Sequence, residues 1–267
     1  MTFESIENGR ELGGLVMKDG RTVRHGMLVR SGDLSKASDA DVALLLEGFN
    51  LTDVYDFRFD AEANSNPDRP IEGVRNTRLS TLPQVFVEGF MSGRTDTTAI
   101  QSANLLDMLA KYAFHPNAQK MAQKIYPAIV TDTTSQRRYG EFLRGVLEAK
   151  GGVLWHCSQG KDRAGWATAF VLGALGASRE TIVADFDLSN EYYAAAVEAV
   201  DARILEMGGG EPELAFIHAM VGVSRENFES TLDFIEARYG SLQTYIEQAL
   251  GFSAAEQEQL RDKLLEP

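Results

Sequence analysis

The chain has 267 residues, of which 44% are hydrophobic, a length and composition that suit one well-packed globular core. Its 26 basic and 39 acidic residues give a net charge of −13, which argues against nucleic acid or an anionic membrane as the main partner. The single cysteine excludes an intramolecular disulfide, and four scattered histidines offer no zinc-binding pattern.

The N-terminal segment and the apolar runs bear on where the chain resides. Residues 1–7 are acidic and lack the apolar stretch of a signal peptide. No apolar run in the sequence approaches the ~20 residues that a membrane span needs. These features predict a cytoplasmic protein without integral membrane association. Export by a route that requires no signal peptide stays open.

The first third of the chain is predicted to combine short strands with one helix. Gly20 lies in a turn between 15–17 and 22–24, which favours a hairpin because glycine tolerates positive φ. Ser38 and Asp41 have the spacing of a capping box. The elements predicted here are a strand at 27–29, a helix from the capping box to 49, a buried parallel strand at 51–58 and a proline-containing loop at 64–70.

The rest of the chain is predicted to be mostly helical. The irregular segment 81–98 predicts a flap, which together with the helices after it covers about 81–130. Ser253 and Glu256 predict the start of a last helix, and three glycines at 208–210 predict a turn. Helical periodicity is present at 103–112, 118–129, 135–149, 181–188, 191–207 and 228–239. The sum is an α/β fold with a central sheet, flanking helices and a helix-rich C-terminal half.

The stretch 156–165 lies between a buried strand at 152–155 and an apolar helix at 166–175. A strand, a tight polar loop and a helix N-terminus form an anion cradle, because consecutive N–H groups turn inward and the helix dipole adds about half a positive charge. Cys157 at the base of the cradle is expected to be a thiolate, and Arg163 can grip two phosphate oxygens with its planar fork. This pattern predicts hydrolysis of phosphate monoesters by a cysteine nucleophile.

The motif resembles the His-Cys-x5-Arg signature of protein-tyrosine phosphatases, and its Gly-Lys-Asp-Arg ending is similar to the atypical bacterial tyrosine/serine phosphatase family. The resemblance continues in the blocks 8–14, 28–31, 54–58, 182–190 and 239–261. It implies a single phosphatase domain over 1–267 with a protein-tyrosine-phosphatase-like central sheet. The implied partner is a phosphorylated protein or peptide, with phosphoserine, phosphothreonine and phosphoinositides as further substrates. The reaction needs no metal and no cofactor, since thiolate, arginine and water suffice.

Six consecutive residues are expected to bind the phosphate, namely Ser158, Gln159, Gly160, Lys161, Asp162 and Arg163. Lys161 also suits a contact with a second phosphate, which the resemblance connects with phosphoinositides. The nearest further basic residues, Lys120 and Lys124, form no obvious cluster, and the alternative for Lys161 is a solvated surface lysine. The resemblance implies that His156 braces the loop, since a thiolate that has already formed needs no base.

Two charged residues at the end of a predicted strand, Arg58 and Asp56, are expected to support the loop. Arg58 can order the loop by bonding to carbonyls or to Asp162. Its alternative role is an ion pair with Asp60 or Glu62 at the strand end. Asp56 is expected to be structural.

The leaving oxygen needs a proton, and the sequence offers two candidates for its donor. Asp162 is the first choice because it can face the leaving group from within the loop, and Asp132 is the alternative. Gln84 lies near the position where a member of the related family has an acidic residue, but an amide cannot supply a proton. The identity of the general acid therefore stays open between the two aspartates.

Ala164 departs from the phosphatase pattern, which places Ser or Thr directly after the arginine. That hydroxyl donates to the sulfur and stabilises the departing thiolate, so its absence predicts slow breakdown of the phosphocysteine. The departure motivates a second hypothesis, a catalytically weak phosphate-binding module of the same fold. A third, arsenate reduction or sulfur transfer, is disfavoured because the chain has no resolving thiol and sulfur transfer usually uses a different loop spacing.

Overall fold

The computed structural model describes residues 2–81 and 110–267, and within these ranges the strands form a mostly parallel sheet. In chain order the strands are β1 (Arg10–Glu11), β2 (Thr22–Val23), β3 (Leu28–Ser31), β4 (Leu51–Asp56), β5 (Arg75–Arg78), β6 (Gly152–His156) and β7 (Leu265–Glu266). The sheet has the order β1–β3–β6–β4–β5, in which β1 alone is antiparallel to its neighbour. β2 and β7 pair as a separate antiparallel ribbon.

Helices flank this sheet and make up most of the C-terminal half. In chain order they are α1 (Asp39–Ala43), α2 (Asp60–Ser65), α3 (Ala118–Thr131), α4 (Thr133–Glu148), α5 (Asp162–Leu175), α6 (Arg179–Glu206), α7 (Glu211–Val221), α8 (Arg225–Tyr239), α9 (Leu242–Gln248) and α10 (Ala254–Leu264). A π-helical turn, Leu44–Gly48, continues α1. The α/β class predicted from the sequence is confirmed.

Strand β6 and helix α5 form the centre of the hydrophobic core. All five residues of β6 are buried, and so is every residue of α5 from Ala164 to Leu175. A helix that is apolar around its whole circumference is stable only when other elements cover every side of it. The helix ends at Gly176, whose φ of 89° is a left-handed conformation that terminates helices.

Several local predictions are confirmed. In the turn at 18–21, Met17 N–H donates to Arg21 O at 2.8 Å, and Gly20 has a φ of 88°. The capping boxes that begin with Ser38 and Ser253 are both present. These features depend on residues within four positions of one another, which is why the sequence alone predicts them.

The prediction of two helices at 181–188 and 191–207 is wrong, because α6 runs through both without a break. The polar residues that suggested a break make contacts elsewhere in the molecule. Ser189 Oγ accepts from Asn8 Nδ2 at 3.2 Å, and Asn190 Nδ2 donates to the carbonyl of Val223 at 3.1 Å. The helix continues through these polar residues, and Asn190 Nδ2 also donates to Asp187 Oδ1 at 2.8 Å, one turn earlier in the same helix.

Two other predicted boundaries differ from the structure. The loop predicted at 64–70 starts later, because α2 extends to Ser65 and was not predicted at all. Apart from residue 81, the flap predicted at 81–98 lies outside the described residues, and so does most of the helix predicted at 103–112. The helix predicted at 118–129 is present as α3.

Candidate active site

The parallel strands bring three chain segments together at one edge of the sheet. Ser31, Asp56 and His156 lie beside one another at the carboxyl ends of β3, β4 and β6. From His156 the chain turns through 157–161 and enters α5 at Asp162. Ligands of open α/β sheets bind outside the carboxyl ends of the strands. The loop and the N-terminus of α5 therefore occupy the place where a ligand is expected.

Gly160 allows the loop to approach β3 closely. Its φ of 67° lies in the left-handed region that glycine adopts readily. A Cβ at this position would lie 2.2 Å from the backbone carbon of Ser31, so any side chain would push the loop away from the strand. Direct packing of loop on strand fixes the position of the cradle.

Glu62 holds Arg163 in one orientation, a role that the sequence did not suggest. Arg163 Nη1 donates to Glu62 Oε2 at 2.7 Å and Nη2 donates to Oε1 at 2.8 Å. Ser158 Oγ donates to the same carboxylate at 2.9 Å. Burial alone would raise the pKa of Glu62, but the Arg163 guanidinium outweighs it and holds that pKa below its ordinary value. Glu62 is thus a carboxylate that orients the arginine.

This orientation leaves one edge of the Arg163 guanidinium for a ligand. Nη1 makes a further hydrogen bond to the carbonyl of Phe57 at 3.3 Å. Within the described chain, the Nε–H group and the second N–H of Nη2 have no acceptor. These two N–H groups point the same way, which is the geometry that binds two oxygens of one phosphate.

A local signal for Glu62 was present in the sequence. Glu62 Oε2 accepts from the backbone N–H of Phe59 at 3.1 Å, as an acidic residue in the first turn of a helix does. That spacing could have predicted the start of α2. It could not have predicted Arg163 as a partner, because 101 positions separate the two residues.

Arg58 is buried behind the loop and pairs with two carboxylates. Its Nε donates to Asp56 Oδ1 at 2.9 Å, and its Nη2 donates to Asp68 Oδ2 at 2.8 Å. Nη1 donates to the carbonyl of Asn66 at 2.8 Å, which lies outside the loop at 157–163, so the ordering of that loop by Arg58 stays a prediction. The carboxylate partners considered from the sequence were others, namely Asp60, Glu62 and Asp162. Asp56 is the last residue of β4 and one partner of this ion pair.

His156 lies between this charge network and the cysteine. Its Nε2 is 3.2 Å from Asp68 Oδ2, and its Nδ1 is 3.1 Å from the carbonyl oxygen of Cys157. Burial would lower the pKa of His156, but Asp68 and Asp56 outweigh burial and raise it. For Asp68, burial is likewise outweighed by His156 and Arg58, which lower its pKa to about 2. His156 thus contacts both the charge network and the backbone of the loop, and its bracing of the loop stays a prediction.

Asp56, Asp68 and His156 offer ligand atoms within 4.8 Å of one another, a spacing that a metal ion could use. Arg58, however, donates to both carboxylates. The carboxylate oxygens that a metal ion would bind are therefore already engaged by the guanidinium.

Asp162 begins α5, and its carboxylate is held at one oxygen. Tyr126 of α3 donates from its hydroxyl to Asp162 Oδ1 at 2.7 Å. Burial, and then the charge of Asp162, raise the pKa of Tyr126 well above its ordinary value, so the phenol stays protonated as a donor. Oδ2 lies 3.5 Å from Lys161 Nζ. The side chain is 27% exposed, so solvent reaches part of the carboxyl group.

Asp132, the alternative general acid, caps a helix. Its Oδ2 accepts from the backbone N–H of Ser135 at 2.7 Å and from the Ser135 hydroxyl at 2.9 Å, at the start of α4. The first of these bonds satisfies a backbone N–H at the helix terminus. Gln84 lies outside the described residues.

Lys161 is buried, so the interpretation as a solvated surface lysine is wrong. Only 3% of the residue is exposed, and Nζ donates to the carbonyls of Met220 at 2.5 Å and Gly222 at 2.7 Å. These carbonyls lie at the C-terminal end of α7, where a cation is favourable. The ammonium is thus hydrogen-bonded to backbone carbonyls of the protein, and its contact with a second phosphate stays a prediction.

Ala164 is fully buried directly after the arginine. The next hydroxyl along α5 belongs to Thr168, and it donates to the carbonyl of Ala164 at 2.9 Å. Trp155 Nε1 in turn donates to Thr168 Oγ1 at 3.1 Å. The Thr168 hydroxyl is therefore engaged inside the core and does not replace the hydroxyl that Ala164 lacks.

A cysteine on a strand–loop–helix cradle with an oriented arginine defines the phosphatase class of site that the sequence suggested. The chain matches the family model described as the tyrosine phosphatase family over residues 1–266. It therefore belongs to this family and is a phosphatase enzyme. Within residues 2–81 and 110–267, no helix has both the length and the apolar character needed to cross a membrane.

Curated proteins show the same relationship. The chain is 31% identical over 266 residues to the triple specificity protein phosphatase PtpB of Mycobacterium tuberculosis, covering 91% of this chain and 92% of that protein. A protein of Cupriavidus necator, named as a tyrosine-protein phosphatase, is 29% identical over 266 residues, covering 96% of this chain and 86% of that protein. A tyrosine-protein phosphatase of Nostoc commune is 28% identical over 126 residues, with coverage of 46% and 42%.

Proposed function

We propose that this protein phosphatase is cysteine-dependent and hydrolyses phosphotyrosine through a phosphocysteine intermediate. The observation that carries the proposal is the orientation of Arg163, six positions from Cys157. Glu62 holds its guanidinium at the N-terminus of α5, with two N–H groups that have no acceptor in the part of the chain that the structure describes. A phosphate gripped there would present its phosphorus to the sulfur at the base of the loop.

The first chemical step would transfer the phosphoryl group to the enzyme. The Cys157 thiolate forms a bond to phosphorus as the bond between phosphorus and the leaving oxygen breaks. Asp162 gives its proton to that oxygen. Arg163 and the backbone N–H groups of the loop bind the equatorial oxygens throughout, where their charge stabilises the transition state.

The second step would release phosphate. Water attacks phosphorus, the phosphorus–sulfur bond breaks and the sulfur leaves as a thiolate, while the Asp162 carboxylate takes a proton from the water. Each cycle thus returns the enzyme to its starting protonation state, and no metal or cofactor enters the atom balance.

The substrate range is part of this proposal. The mycobacterial relative is named a triple specificity protein phosphatase. For this chain we place phosphotyrosine first, with phosphoserine, phosphothreonine and phosphoinositides as secondary substrates. A thiolate nucleophile needs reducing surroundings, which supports a cytoplasmic site of action. The match over 1–266 supports one phosphatase domain.

Cys157→Ser is the variant that tests the mechanism. We expect the wild type to release phosphate from p-nitrophenyl phosphate and a phosphotyrosine peptide with EDTA present, and the variant to lose this activity, because serine is not ionised here. The measurement is the initial rate of phosphate release by both proteins. Residual activity in the variant near the wild-type rate would contradict the mechanism.

The alternative is a phosphate-binding module with weak catalysis, and the buried Ala164 favours it. It requires that the wild type bind inorganic phosphate but release none from either substrate. Calorimetric titration of the wild type with phosphate, beside the rate measurement, separates the two functions.

Ala164→Ser is expected to speed phosphoenzyme breakdown by about 10- to 100-fold, because a hydroxyl hydrogen bond stabilises the departing thiolate. The wild type should therefore show a burst near one equivalent of product in rapid-quench experiments, and the variant a smaller burst with a faster steady state. Ala174→Ser, at another fully buried position of α5, is the matched control. Linear product release by the wild type from the first turnover would contradict this expectation.

A further inference from the structure

The carbonyl groups of the loop all face away from the cradle. Each has a polar partner from the surrounding protein. The carbonyl of Cys157 lies 3.1 Å from His156 Nδ1, and that of Ser158 accepts from Asp33 N–H at 3.2 Å. The carbonyl of Gln159 accepts from Asn8 Nδ2 at 3.1 Å and from the Tyr193 hydroxyl at 2.8 Å, and those of Gly160 and Lys161 accept from Arg30 Nη2 at 2.7 and 3.0 Å. In a peptide unit the carbonyl and the N–H point in opposite directions. Donors that hold the carbonyls outward therefore hold the N–H groups inward.

Arg30 is the centre of this arrangement. Its side chain is fully buried in β3, and Nη1 donates to Asp185 Oδ2 at 2.5 Å. Asp185 is in turn bound by Arg10 Nε at 3.0 Å, so one buried carboxylate lies between two guanidinium groups. With Nη1 fixed by the carboxylate, Nη2 of the same rigid plane is aimed at the two loop carbonyls.

Tyr193 and Asn8 act on the neighbouring peptide from a different side. Tyr193 is buried in α6, and burial raises the pKa of its hydroxyl, which therefore stays protonated. A protonated hydroxyl beside the carbonyl of Gln159 can only donate to it. Asn8 Oδ1 accepts from Arg10 Nη1 at 2.6 Å, which turns its Nδ2 toward the same carbonyl.

We propose that Arg30, Tyr193 and Asn8 are positioning residues of the phosphatase reaction, which aim the loop N–H groups at the phosphate by holding the loop carbonyls from behind. The inference rests on the proposed function and deepens it. It assigns part of the phosphate affinity to three side chains that touch neither the sulfur nor the ligand. It also explains why residues from the N-terminal segment, β3 and α6 converge behind one short loop.

Inorganic phosphate binding by the Cys157→Ser protein tests the proposal without any turnover. Added to that protein, Tyr193→Phe should weaken phosphate affinity about 3- to 5-fold, and Arg30→Lys about 10-fold or more, because a single ammonium cannot replace the fork. In ¹H–¹⁵N spectra, the shifts that phosphate induces in the N–H groups of the loop should shrink in both. In the enzyme with Cys157 present, kcat/KM should fall in parallel.

Matched controls separate positioning from stability. Tyr245 is also a buried tyrosine that donates to a backbone carbonyl, that of Val130 at 2.8 Å. Arg144 also bridges a carboxylate, Glu256, and a backbone carbonyl. Tyr245→Phe and Arg144→Lys should lower the melting temperature yet leave phosphate affinity unchanged.

Unchanged phosphate affinity in Tyr193→Phe and Arg30→Lys, or an equal loss in the controls, would overturn the positioning role. If Arg30→Lys does not fold, Tyr193→Phe against Tyr245→Phe decides alone. Suppose that the wild type is inactive, but the Cys157→Ser protein binds phosphate and Tyr193→Phe and Arg30→Lys weaken that binding; the proposed function is then wrong and the positioning role stands. Suppose instead that the wild type is active and neither substitution weakens phosphate binding; the proposed function then stands and the positioning role is wrong. Absence of any phosphate binding overturns both.

Discussion

Arg163→Lys is expected to lower kcat/KM for a phosphotyrosine peptide by about 10³-fold or more, since removing one preorganised donor alone costs about 10²- to 10³-fold. The structure explains why a retained charge does not suffice. Glu62 uses one N–H of each terminal nitrogen, and the Nε–H and the second Nη2–H, which have no acceptor in residues 2–81 and 110–267, form a second fork on the adjacent edge. A lysine has one ammonium, which would be drawn to the half-buried Glu62 carboxylate.

Steady-state kinetics of Arg163→Lys beside Glu62→Gln measure this effect. Glu62→Gln keeps the size of the side chain and the fork of Arg163, so we expect a smaller loss, about 10- to 100-fold, from poorer orientation. A loss of less than 10-fold in Arg163→Lys would mean that charge alone binds the phosphate. A larger loss in Glu62→Gln than in Arg163→Lys would also contradict the assigned roles.

The strand, loop and helix that carry the candidate site could be predicted from the sequence because they are adjacent in the chain. Cys157 and Arg163 are joined by five residues, and a strand before them and a helix after them dictate the cradle. Position along the chain then almost determines position in space. The same holds for the capping boxes at Ser38 and Ser253.

The supports of that centre could not be predicted, because their partners are distant in sequence. Arg30 reaches Asp185 across 155 positions, and Glu62 reaches Arg163 across 101. Residue type is a poor guide in such cases. Lys161 is the clearest example, since a lysine in a polar loop would ordinarily be solvated, and here the end of α7 captures it.

The two sides of the loop therefore have different tasks. The side that faces the ligand contains the sulfur and the free edge of Arg163, groups that a motif can specify. The side that faces the protein is bound by Arg30, Tyr193 and the charge network around His156. Preorganised donors stabilise a transition state only if they need not reorient during the reaction. The long-range contacts supply that rigidity.

Asp162→Asn is expected to reduce activity in proportion to how badly the leaving group needs a proton. General acid catalysis contributes about 10²- to 10⁴-fold, and an alkyl alcohol needs the proton far more than a phenol with a pKa near 10. We therefore expect a loss of about 10²-fold or more on phosphoserine, less on phosphotyrosine and least on p-nitrophenyl phosphate. The measurement is kcat/KM on all three substrates.

The runner-up aspartate provides the matched control. Asn is as good a helix cap as Asp, so Asp132→Asn keeps the bond to Ser135 N–H and the start of α4. If Asp162 is the acid, Asp132→Asn leaves the ratios between the kcat/KM values of the three substrates unchanged. If kcat/KM instead depends more steeply on the leaving group in Asp132→Asn, the role of general acid belongs to Asp132. In that case the Tyr126 hydroxyl that binds Asp162 Oδ1 serves to fix the start of α5. Asp162 stays the first candidate because it lies in the loop itself, at the start of α5, whereas Asp132 caps the start of α4.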